Sequence, residues 1–172
     1  MIQPLVLLFA SAALGGDVPA RPKNATFAVV PRPALLHPDT ASIASMMQRK
    51  AERLLSTGDV GGARAVYRTM IAVQDSAGVF PGETLWALAS LEFARNRELR
   101  AAEVLDEVAT AAARYGRPDW QARAVLEAGL IYQTHGRTDL SVARYYVLKP
   151  LLASPAISDS LRTLLASRVV TK

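Results

Sequence analysis

The chain has 172 residues, 51% of them apolar, 20% charged and 6% aromatic, with a formal net charge of +5 and no cysteine. That length holds one ordinary domain, and the apolar fraction excludes a chain disordered throughout. The missing cysteine excludes disulfides, thiolate metal sites and thiol nucleophiles.

The positive charge rests on arginine, because the only lysines are Lys23, Lys50, Lys149 and Lys172. A basic surplus can attract nucleic acid or anionic lipid. Here the arginines are scattered among Asp and Glu with no long run of one sign, which is the pattern of a solvated surface. No nucleic-acid partner is expected on this ground.

Residues Ile2 to Leu14 are apolar or small almost without a break. A bilayer span needs about 20 such residues, whereas the apolar part of a secretory signal peptide needs about 7–15. Residues 1–20 are therefore predicted to be a signal peptide, cut after Ala10-Ser11-Ala12 or after Val18-Pro19-Ala20. No Lys or Arg precedes the apolar run, and a short N-terminal arm is the competing reading. The processed protein would be periplasmic or secreted, without a stable membrane span. Residues 21–39, with Pro22, Pro31, Pro33 and Pro38, are predicted to form an extended linker, since proline lacks the amide donor and disfavours helix before it. Phe27-Ala28-Val29-Val30 is a candidate for a strand-like segment docked on the helical region.

From residue 40 to residue 172 the apolar spacing turns helical. Ile43, Met47, Ala51 and Leu54 line one face, with Thr40 as the expected N-cap. Gly58-Asp59 ends that helix, and Ala63, Tyr67 and Met70 mark the buried side of the next. Pro81 fits the first turn of a third helix with Trp86, Ala89 and Phe93 inward. Asn96-Arg97 precedes a fourth helix carrying Ala101, Leu105, Val108 and Ala112. Gly116 and Pro118 punctuate the start of a fifth, with Val125, Gly129 and Tyr132 inward. His135-Gly136 ends it, and Thr138 is the expected cap of a sixth helix bearing Ser141, Tyr145 and Leu148, with Pro150 near its end. A seventh segment, about residues 155–169, sets Ile157, Leu161, Leu164 and Leu165 on one side and polar residues on the other.

The turns at Gly58, Asn96 and Gly136 are 38 and 40 residues apart, a spacing that belongs to stacked helical hairpins. A single hairpin cannot bury its apolar face, so such units must stack, and the seventh segment suits a cap on the last one. The pattern resembles the tetratricopeptide repeat family. Ala51, Leu54, Gly58, Ala63, Tyr67 and Met70 follow its spacing, as do Gly129, Tyr132, Gly136, Ser141, Tyr145 and Leu148. The middle unit, Trp86, Ser90, Phe93, Ala101, Leu105 and Val108, has a turn one residue short with Asn96 for glycine. The resemblance covers about residues 40–150 and implies an all-α fold, a right-handed superhelix of about three hairpins plus a C-terminal capping helix. The repeat is longer than the family's usual length of about 34, which implies longer helices or longer connections such as residues 76–80. An ordinary helical bundle is the alternative.

Candidate chemistry is sparse, and no catalytic residue, cofactor or metal is expected. His37 lies beside Pro38, and His135 stands at a helix end, where the dipole and free carbonyls favour it. Gly61-Gly62 lacks the third glycine and preceding strand of a dinucleotide site. Glu52, Glu92 and Glu127 could each act as an acid, but no second carboxylate accompanies any of them at the right spacing.

In the resembled family the first helix of each hairpin lines a concave face that reads a peptide. Carried over, that surface is Ser45, Gln48 and Glu52, then Thr84, Ala87, Leu91 and Arg95, then Arg123, Leu126, Leu130 and Gln133. It would offer an apolar floor of Leu91, Leu126 and Leu130 flanked by Arg95 and Arg123, suited to an amphipathic helix or a carboxylate-bearing tail. Gln48 and Glu52 replace the basic and Asn positions of the family's carboxylate groove, so that activity is not implied. The chain's own linker or seventh helix is the competing occupant. The expectation is a non-catalytic adaptor or scaffold of an exported or cell-envelope assembly with a protein or peptide partner. The second reading is a cytoplasmic nucleic-acid-binding helical repeat protein.

Overall fold

Seven helices follow one another through residues 38–169, the part of the chain that the computed structural model describes. They are α1 (Pro38–Ser56), α2 (Val60–Ser76), α3 (Gly82–Ala94), α4 (Glu98–Arg114), α5 (Pro118–Thr134), α6 (Thr138–Leu152) and α7 (Asp159–Val169). No strand occurs among the described residues. The proposed signal peptide at 1–20 and linker residues 21–37, with Phe27-Ala28-Val29-Val30 and His37, lie outside them. Pro38 and Asp39, expected in the linker, belong to α1, so Thr40 sits inside the first turn instead of capping it. Proline suits that position because its missing amide would have no helical partner there.

One device ends the first five helices. At the end of α1 the Gly58 amide donates to the Leu55 carbonyl at 3.1 Å and the Asp59 amide to Leu54 at 2.8 Å, with Gly58 at φ +80°. This paired bonding satisfies two carbonyls that the helix leaves open. It recurs at Gly78, Asn96, Gly116 and Gly136, so a left-handed residue appears every 18 to 20 residues. Asn96, at φ +56°, is the one non-glycine among them, and asparagine tolerates this region where branched side chains do not.

The turns also start the next helix. The Asp59 carboxylate accepts the Gly62 amide at 2.8 Å, and a Cβ on Gly62 would lie 2.4 Å from the Asp59 Oδ2. Gly62 therefore makes room for the cap. Arg137, not Thr138, holds the cap position of α6, and it makes no side-chain capping bond. Four of the connections contain three residues each, while that between α2 and α3 spans residues 77–81.

From α1 to α6 each helix packs on the next in chain order, whereas α7 packs against α5. α5 meets α4, α6 and α7, with Ala122, Ala124, Val125, Leu126, Ala128, Gly129, Ile131 and Tyr132 all buried. Small side chains on it let its neighbours approach: a Cβ on Gly129 would meet Tyr145 Cε1 at 3.3 Å and Arg144 Cβ at 3.4 Å. α4 contributes Ala101, Leu105, Val108 and Ala112 as expected, and adds Ala102, Val104, Ala109 and Ala111. α3 departs from expectation. Ala89 is buried, but Trp86 and Phe93 are only half-buried, and Leu85, Leu88 and Glu92 take the interior. Ile157 and Leu165 are buried beneath the C-terminal segment, with Leu161 half-buried; the side chain of Leu164 lies outside the described residues.

Ion pairs repeat at the same interval as the turns. Arg68 on α2 pairs with Glu107 on α4 across 39 residues, and Arg144 on α6 with Asp106 on α4 across 38. Arg114 reaches Asp75 across 39 residues, and His135 reaches Glu98 across 37, the latter pair 2.7 Å apart. The three arginine pairs link helices that are two apart in the chain order.

Candidate partner-binding surface

The carried-over surface divides once side chains are placed. In α1, Gln48 Nε2 donates to Glu52 Oε1 at 3.0 Å, so these residues join each other one helical turn apart, with Glu52 exposed and Gln48 half-buried. Ser45 is exposed. Tyr67 on α2 is buried, and burial first, then the Glu52 charge, raises its hydroxyl above the ordinary tyrosine range. That ties the Glu52 carboxylate to the joint between α1 and α2.

In α3, Thr84 is interior, its hydroxyl donating to Gln74 Oε1 of α2 at 2.8 Å. Leu91 and Ala87 are half-buried against the core, and Arg95 is exposed at the cap of the helix. In α5, Leu126 is fully enclosed at 0% exposure, so the apolar floor it was to complete is reduced to half-buried Leu91 and Leu130. α5 is covered by α4, α6 and α7, and a residue carried over as outward-facing falls inside for that reason. Gln133 is half-buried and accepts the Tyr145 hydroxyl at 3.0 Å.

Arg123 is exposed, and its guanidinium lies over the Trp86 ring, 5.9 Å from the centroid, which brings α3 and α5 together at this surface. Beyond it lies a group that sequence reasoning did not assemble. Trp86 meets Trp120 edge-on at 5.9 Å, Trp120 meets Phe80 edge-on at 5.5 Å, and Phe80 meets Tyr115 at 5.8 Å. All four rings are half-buried, and Arg114 lies 5.3 Å from the Tyr115 centroid. Edge-to-face pairs of this kind each contribute about 0.5–1.5 kcal/mol beyond the area they bury. A guanidinium stacked on an indole keeps its N–H edge available to a carboxylate. The group comes from the connection before α3, the starts of α3 and α5 and the end of α4, and only the turns bring these together. Its sole trace in the sequence is that both tryptophans fall near helix starts after Pro81 and Pro118.

The acid candidates have structural partners. Glu92 is buried and receives both forks of Arg64 from α2, one at 3.1 Å, with Arg97 Nη1 3.9 Å away. His135 pairs with Glu98, as a helix-end histidine can. Among the described residues no group of three His, Cys, Asp or Glu is placed to hold a metal ion, and no helix is long and apolar enough to cross a membrane. Comparison with protein-family models, with curated proteins and with solved structures finds no match for this chain.

Proposed function

We propose that this chain is a non-catalytic adaptor or scaffold, built as a right-handed superhelix of about three tetratricopeptide-like hairpins with α7 as the cap. The observation that carries the repeat reading is the lacing of equivalent helices: Arg68 to Glu107 and Arg144 to Asp106 recur at 39 and 38 residues. A closed bundle has no reason to repeat its contacts at the interval of its turns, whereas a stack must. The packing of α7 against α5, one odd-numbered helix on another, also favours a stack.

The partner in this reading is a peptide or helix lying across α3 and α5. Arg123 over Trp86, half-buried Leu91 and Leu130, and exposed Arg95 supply stacked, apolar and cationic contacts. A partner segment with an apolar side and a carboxylate matches that mixture. The proposed signal peptide places the protein in the periplasm or outside the cell. Seven arginines, at 64, 68, 97, 100, 114, 144 and 162, have a carboxylate within salt-bridge range, which leaves the nucleic-acid reading with less free positive charge.

The test is Arg123→Glu in a pull-down from native extract with mass spectrometry. The expected outcome is loss of bound partners with helical circular dichroism unchanged, since Arg123 is exposed. Unchanged partners would remove this surface from the proposal.

A further inference from the structure

One face of α2 and of α4 is bonded to or packed on other helices, and the corresponding face of α6 is not. With the repeat spacing, Arg64 and Arg68 of α2 correspond to Ala102 and Asp106 of α4 and to Val142 and Tyr146 of α6. In α2, the pair is taken up by the following hairpin through Glu92 and Glu107. In α4, Ala102 is 0% exposed, and Asp106 receives the Tyr132 hydroxyl and the Arg144 guanidinium. In α6 the same positions face water: Val142 is 45% exposed and Tyr146 is 75% exposed. α7 packs against α5, and among the described residues Val142 and Tyr146 stay exposed.

The open face has an ordered pattern. Asp139, Val142, Tyr146 and Lys149 are spaced three, four and three along the helix and form one exposed stripe. Among the described residues neither Asp139 nor Lys149 has an ion-pair partner. The stripe is complementary to itself when reversed. Two α6 helices crossing antiparallel at the level of Arg144 would place Asp139 against the second copy's Lys149 and Val142 against the second copy's Tyr146. A two-fold axis then makes every contact twice, as isologous dimers require.

We propose that this stripe is the contact between two copies of the chain, paired antiparallel through α6. The charges favour a second copy, because one carboxylate and one ammonium at opposite ends of the stripe satisfy each other only in the antiparallel arrangement. A single helix pair buries less than the roughly 1,200 Å² of a stable standard interface, so the dimer is a weak, concentration-dependent one.

Sedimentation equilibrium of the full chain across a concentration series tests this. The wild type should pass from monomer to dimer as concentration rises. Tyr146→Glu, Asp139→Lys and Lys149→Asp should each weaken association about tenfold or more, and combining the two charge reversals should restore it. All three sites are exposed, so helical circular dichroism should be unchanged in every variant. A chain monomeric at every concentration would leave the stripe to another protein's helix or to the chain's own N-terminal residues, and would overturn the proposal. A dimer that survives Tyr146→Glu, or single reversals that the double reversal does not repair, would overturn it equally.

Discussion

Arg144 holds Asp106 with two guanidinium nitrogens, Nε at 2.6 Å and Nη2 at 2.5 Å, across 38 residues of chain. The same carboxylate accepts the Tyr132 hydroxyl at 2.9 Å, so α4, α5 and α6 meet at one side chain. A forked pair of this kind fixes orientation as well as contributing energy.

Asp106→Ala leaves the arginine and the phenol without their acceptor in a partly enclosed site. We expect a loss of about 1–3 kcal/mol, read as a lower urea midpoint at neutral pH. In a double-mutant cycle, adding Arg144→Ala should cost much less on that background than on the wild type.

Tyr132 makes the alkaline limb of stability informative. Burial first, and the bond to Asp106 second, push its hydroxyl up to about 12. The folded chain therefore holds this proton more tightly than the unfolded one, where a tyrosine titrates near 10. Its contribution is complete below about pH 10 and is lost as pH rises toward about 12. Tyr132→Phe should flatten that slope in part, because buried Tyr67 and half-buried Tyr115 are raised in the same direction. An unchanged slope in chemical denaturation from pH 9 to 12 would contradict the assignment.

Glu92 is enclosed at the joint between α2 and α3, which meet more sparingly than any other consecutive pair from α1 to α6. Polar contacts carry much of that joint, through Arg64 to Glu92 and Thr84 to Gln74. Glu92→Gln should lower stability by about 1–3 kcal/mol, since it removes the buried charge of a part-buried pair and leaves Arg64 without it. Thermal unfolding should show the loss without a change in helical content at 25 °C.

The turn at Asn96 separates backbone strain from side-chain contact. At φ +56° an alanine would be strained, whereas a glycine would not. Asn96→Ala should destabilise by about 1 kcal/mol, and Asn96→Gly should leave the melting temperature close to wild type or above it.

Much of the helical plan was legible in the residues themselves. The stops at Gly58, Asn96, Gly116 and Gly136 are local, because a left-handed backbone depends on the residue that adopts it. The stripe of Ala101, Leu105, Val108 and Ala112 on α4 was equally legible, as one face of one helix. Thr40 and Thr138 misled because a hydroxyl near a helix start is compatible with a cap without requiring one; the backbone begins each helix earlier or caps it with Arg137.

What the chain alone determined, then, is where helices stop and how often the left-handed turns recur, since turns and periodicity are short-range properties. Tertiary packing decided which sides are hidden. Leu126 and Thr84 went inside, Trp86 stayed half-exposed under Arg123, and α6 kept Tyr146 in water. Those outcomes depend on how many neighbours each helix acquires, and a helix with three neighbours buries residues that one with fewer leaves open.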